Sequence, residues 1–190
     1  MTSITSPALL ATRLWPRTSG NALARTITLI VLADALLAVS AHLQVPFWPV
    51  KLSMQTFVVL AIGMTYGSRL GGLTLLAYLA EGAVGLPVFQ SGTGLAYLAG
   101  PTGGYLVGFL LAATVVGALA ERGALARVPV AAAVILLAEL LIYAPGLAWL
   151  AVLFGPAKSL AFGLTPFIPA ELAKMALAVA LVPLVRPAAA

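Results

Sequence analysis

Glu171 and Lys174 stand three residues apart in an otherwise apolar stretch, Phe167 to Val185. On a helix that spacing puts both on one face, within reach of each other. Ionisable groups at membrane depth are costly and face a cavity or one another. Two roles fit. One is a structural ion pair that fixes the helix. The other is a recognition pair, whose carboxylate accepts N–H bonds from a ligand and whose ammonium meets an oxygen or carboxylate. The N-terminal end of the helix also favours an anionic ligand group.

Other candidates are more scattered. Glu139 and Glu81 fit either a proton relay or a carboxyl hydrogen-bonded within a bundle, and Asp34 fits a helix–helix or a partner contact. His42, the sole histidine, falls at a helix end, and no cysteine is present. This inventory assembles neither a metal site nor a Ser–His–Asp arrangement, so no cofactor is expected. Tyr97, Tyr105, Tyr143 and Trp149 offer flat apolar rings with a polar handle, suited to a heteroaromatic or bicyclic solute, and membrane-interface anchoring explains each one equally well. Gly100-Pro101-Thr102-Gly103-Gly104 resembles a phosphate loop in composition alone, because the lysine and spacing are missing. Energy from ATP would therefore have to come through a partner.

The elements that position these residues are membrane helices. Of 190 residues, 62% are hydrophobic and 8% charged; soluble domains carry about 25% charged residues. The chain is expected to be an all-α integral membrane protein of the cytoplasmic membrane. The net charge of +5 is assigned to topology signals and anionic headgroups rather than nucleic acid. Residues 1–25 form an expected cytoplasmic tail, and residues 26–190 a domain of six transmembrane helices. Val39-Ser40-Ala41 imitates a signal-peptide cleavage site, but Asp34 interrupts the apolar core, so 26–43 is expected to remain as the first span. Further spans are expected at 54–66, 70–84, 101–120, 130–143 (broken or kinked by Pro145-Gly146) and 167–185. Small residues of the first helix (Ala33, Ala35, Ala38, Ser40, Ala41) fit a close helix contact, with a partner or within the bundle. With the N-terminus inside, Arg13, Arg17, Arg25, Arg69, Arg122, Arg127 and Arg186 lie inside, against Lys51, Lys158 and Lys174 outside, which favours N-in/C-in. The irregular regions 44–53, 85–100 and 154–166 then converge on the outer face, where irregular backbone at membrane depth needs a wet or protein-lined cavity.

Three blocks, in order, carry a resemblance: Met54-Gln55-Thr56-Phe57-Val58-Val59-Leu60, Gly82-Ala83-Val84-Gly85-Leu86-Pro87-Val88-Phe89, and Gly100-Pro101-Thr102-Gly103-Gly104-Tyr105-Leu106 with Gly108-Phe109. The chain resembles the BioY family of biotin transporters, the substrate-binding S components of energy-coupling factor (ECF) transporters. The resemblance implies an S-component-like six-helix bundle with an outward biotin pocket. It also implies partners, namely a transmembrane coupling protein and a pair of ABC ATPases, although some family members look solitary. Pro166 to Lys174 resembles the family's helix-6 motif, in which an Asp and a Lys three apart contact the ligand. Glu171 stands in place of that Asp and moves the acceptor by one methylene. Gln90 to Gly94 replaces a more glycine-rich run, where Ser91 or Thr93 is the candidate polar contact. The expected biotin-binding set is Ser91, Tyr97, Tyr105, Tyr143, Glu171 and Lys174. A proton-coupled or solitary carrier using Glu139 or Glu81, and a membrane enzyme acting on lipid-linked substrates, are the rival readings.

Overall fold

Asn21 starts the first helix by accepting the amide N–H groups of Leu23 and Ala24 on its side-chain oxygen, at 3.1 and 3.4 Å, an N-cap that satisfies two of the otherwise unpaired first-turn donors. The computed structural model describes residues 11, 12, 15, 21–46 and 48–185. Arg13, Arg17, Arg186 and most of the expected tail lie outside the described residues. The elements are α1 (Ala22–His42), β1 (Gln44–Val45), β2 (Leu52–Ser53), α2 (Gln55–Ala83), α3 (Gly94–Leu98), α4 (Gly103–Glu121), α5 (Val128–Phe154), α6 (Pro156–Gly163) and α7 (Ile168–Val185), with a 3-10 turn at Ala124–Ala126. Five of them, α1, α2, α4, α5 and α7, are long and apolar enough to cross a membrane.

Within α2 the helix is interrupted at Gly67 (φ 81°, ψ −179°), a backbone region essentially reserved for glycine. The break divides α2 into two arms where the sequence predicts a turn between two spans. Glu121, at the end of α4, accepts both the backbone N–H and the hydroxyl of Ser68, each at 2.9 Å. Its carboxylate thus supplies the cap that the second arm needs where its helix dipole is positive. Gly117 lets α4 come this close, because a Cβ there would collide with the backbone of Gly67 and Ser68.

The arms of α2 pack against α4, which packs in turn against α5. Small residues make the first contact: a Cβ on Gly63 would come within 2.9 Å of the Ala113 carbonyl oxygen. Close backbone approach of this kind drives helix association where lipid is as apolar as the side chains. Leu60, Met64, Leu75, Tyr78, Val116, Ile135 and Ile142 are fully buried between these helices. The small residues of α1 divide, Ala33, Ser40 and Ala41 being buried while Ala35 and Ala38 are not.

Three expectations need correction. The region 44–53 contains a two-stranded antiparallel pair, with Gln44 opposite Ser53 and Val45 opposite Leu52, too short for periodicity to reveal. The irregular regions 85–100 and 154–166 contain the short helices α3 and α6. Pro145 does not end the fifth span, since α5 runs on to Phe154. The Leu141 carbonyl, which loses its helical donor at Pro145, faces the α4 backbone at Gly108, so tertiary packing holds the helix together across the proline.

Candidate functional site

The cluster begins with the first turns of α7, which bring Glu171 and Lys174 to one face, 8% and 4% exposed. Lys174 spends all three of its ammonium donors there: on Glu171 Oε1 at 2.6 Å, on Thr56 Oγ1 at 2.7 Å and on the Ser53 carbonyl at 2.8 Å. An ammonium can only donate, so the Thr56 hydroxyl must accept from it, which directs its own proton to Glu171 Oε2 at 2.9 Å. Tyr143, from α5, donates to Glu171 Oε1 at 3.1 Å. The pair is a closed, charge-assisted network spanning α7, α5, the start of α2 and β2.

This network forms the polar floor of a cavity of about 40 Å³. All three irregular regions contribute walls: Lys51 and Leu52 from the first, Phe89, Gln90 and Tyr97 from the second, and Gly163 at the end of α6, beside Leu106 and Phe109 of α4. The expected convergence of these regions is therefore present. Phe89 stacks on Tyr97 at 5.0 Å between ring centroids and meets Tyr78 edge-on at 5.4 Å. Gly82 makes this possible, because any Cβ there would overlap the Phe89 ring. Tyr105 meets Tyr143 edge-on at 5.5 Å, and its hydroxyl donates to the Gly163 carbonyl at 2.8 Å.

Hydrogen bonds tie the roof to the floor. The Gln90 amide donates to Ser53 Oγ at 2.7 Å, and that of Gln44 donates to the Gln90 carbonyl at 3.1 Å. Gln55 donates to Tyr78 Oη at 2.7 Å, and Tyr78 donates onward to the Val88 carbonyl at 2.7 Å. Ser53 on β2 and Tyr78 on α2 thus hold the loop from elements that also carry the floor.

Of the six expected residues, Tyr97, Tyr105, Tyr143, Glu171 and Lys174 line the cavity. Ser91 does not; it is exposed, as is Thr93, while Gln90 beside it points inward. Burial of the Phe89 ring sets the loop's phase, so the polar contact moves one residue back. Trp149 lies elsewhere, donating to the Gly100 carbonyl at 2.9 Å beside a separate open groove. Glu139, one turn before Tyr143 on α5, is 6% exposed, and neither carboxylate oxygen has a hydrogen-bond partner among the described residues. The same holds for Asp34 on α1. His42 is exposed at the end of α1. Sequence reasoning missed Thr56, Gln55 and Gln90 as site residues. The signal was present in Gln55-Thr56, two polar residues opening an apolar helix. Chemically, the arrangement offers a carboxylate, an ammonium, hydroxyls and amides around aromatic walls, a set suited to holding a small solute that is polar at some edges and apolar at others.

A family model described as the BioY family matches residues 11–190. A "Probable biotin transporter BioY" of Pyrococcus horikoshii is 38% identical over 157 residues, covering 82% of this chain and 93% of that protein. A "Biotin transporter BioY" of Thermotoga maritima is 45% identical over 89 residues, covering 46% of this chain and 53% of that protein. Among solved structures, the S-component for biotin from an ECF-type ABC transporter is 24% identical, covers 87% of this chain and 92% of its own, and superposes with a TM-score of 0.72, a likeness of fold.

Proposed function

The chain belongs to the BioY family, and on that premise we propose that it captures biotin outside the cell and passes it inward as the substrate-binding subunit of an ATP-driven ECF transporter. It is a multi-pass membrane transporter rather than an enzyme. The observation that carries the reading is the Glu171–Lys174–Thr56 cluster beneath aromatic walls. Biotin's ureido ring presents donors and an acceptor, its thiophane ring is apolar and its tail is anionic. The carboxylate of Glu171 suits the ureido N–H groups, Lys174 suits an oxygen of the ligand once it exchanges one of its three present acceptors, and Tyr97 and Phe89 suit the thiophane. The cavity of about 40 Å³ must widen to admit such a solute, since small-molecule sites are typically about 300 Å³ or more. The reading includes six crossings, counting the arms of α2 separately, with both termini inside. A coupling protein and ABC ATPases complete the transporter.

Titration of the purified chain with biotin in detergent tests the binding half. Saturable binding lost in Lys174→Ala and Glu171→Ala is expected, and near-native affinity in both variants would reject the site. A second reading, a proton-coupled solitary carrier, is favoured by one observation: the bare, buried carboxyl of Glu139 beside the site. Uptake into liposomes under a pH gradient, with no ATPases present, would select it.

A further inference from the structure

A second pocket lies at the opposite end of the bundle, between the start of α1 and the second arm of α2. It is about 210 Å³ in volume, shares no residue with the cavity above, and is lined by Thr12, Ala22, Arg25, Tyr66, Arg69 and Leu73, among others. We propose that this pocket binds the phosphate of an anionic phospholipid.

Arg25 is 6% exposed, yet it meets no carboxylate among the described residues. Its Nε donates to the Trp15 carbonyl at 2.7 Å and its Nη2 to the Ala11 carbonyl at 2.8 Å. Both acceptors are neutral, so they orient the guanidinium without compensating its charge, and Nη1 is left with no bond among the described residues. Arg69 forms the other wall, exposed and with no ion pair among the described residues. Glu121, which caps the neighbouring Ser68, accepts from it through both oxygens. Two guanidiniums thus converge on one pocket with no anion from the described residues. A phosphodiester answers that geometry, because its two non-bridging oxygens, which share one negative charge, match the fork of N–H donors. The wall continues along α2 through Leu70 and Leu73, the latter 51% exposed. An apolar wall running from a cationic pocket suits a phosphate that carries acyl chains rather than free phosphate. Basic pockets between helix ends at a membrane surface hold lipid headgroups by the same balance.

The test uses the full chain in detergent, offered equal amounts of phosphatidylglycerol and phosphatidylcholine of matched acyl chains, with retained lipid read by native mass spectrometry. Preferential retention of phosphatidylglycerol is expected. Arg69→Gln should lower that preference about five-fold, the weight of one cationic side chain near a membrane surface, while leaving biotin binding unchanged. Arg25→Lys keeps the charge but loses the fork, and should lower it as well. Equal retention of the two lipids, or an undiminished preference in Arg69→Gln, would overturn the proposal. So would inorganic phosphate raising the melting temperature as much as phosphatidylglycerol does, since that would assign the pocket to a soluble anion.

Discussion

Each proton of the Lys174 ammonium has its own acceptor, which makes the cluster both a structural brace and a recognition surface, and a single substitution confounds the two. Removing one member of a buried pair leaves the other charge uncompensated, at a cost of about 3–5 kcal/mol. Lys174→Met alone should therefore lower thermal stability and abolish biotin binding together. Replacing both charges with apolar groups is often neutral or even stabilising, so Glu171→Met with Lys174→Met should recover most of the lost melting temperature. Binding should stay lost in the double variant. A double variant that binds biotin near wild-type affinity would show that the pair only braces α7. Thr56→Val tests the bridge between them: it keeps the volume but removes one acceptor and one donor. It should weaken binding by less than Lys174→Met does.

At the scale of elements, the ends of α2 do different work. Its middle break depends on Gly67, whose backbone (φ 81°, ψ −179°) costs a non-glycine residue about 1–3 kcal/mol. Gly67→Ala should lower the melting temperature, yet the folded fraction should bind biotin normally, because the break lies at the far end from the cavity. At the near end, the loop from Gly85 to Gly100 is held by Gln90 on Ser53 and by Tyr78 on Val88. Affinity changes within one site appear mostly in dissociation. Gln90→Ala should therefore speed biotin release, by about five-fold for a lost hydrogen bond of ordinary strength, with the association rate nearly unchanged. An unaltered dissociation rate would show that the loop does not retain the ligand. These elements were unevenly legible in the chain. The long apolar helices, the break at Gly67-Ser68-Arg69 and the facing of Glu171 and Lys174 followed from hydropathy, glycine and helical spacing. The continuation of α5 through Pro145 did not, because it depends on packing against Gly108 of another helix. Gln90 escaped because loop phase is set by burial of Phe89, a tertiary fact, and Thr56 because its role exists only once α2 and α7 meet.

For the whole molecule, the question is which end faces out. The cavity and the three irregular regions share one end. Arg25 and Arg69 share the other, where Ser68 is capped by Glu121, the residue before Arg122. Cytoplasmic loops carry the excess of arginine and lysine, so the cavity should face outward and the arginine end inward. The absence of cysteine makes this directly measurable, since single introduced thiols have no background. Ser91→Cys, exposed in the loop over the cavity, and Arg122→Cys, just past the end of α4, are both accessible positions outside the packed core. In intact cells a membrane-impermeant maleimide should label the thiol at position 91 and leave that at 122 unmodified until the membrane is permeabilised. The reverse pattern would place the cavity on the cytoplasmic side and make the protein unsuited to capture from outside. Labelling of both in intact cells would contradict a fixed orientation, and with it the assignment of the arginine end to the inner leaflet.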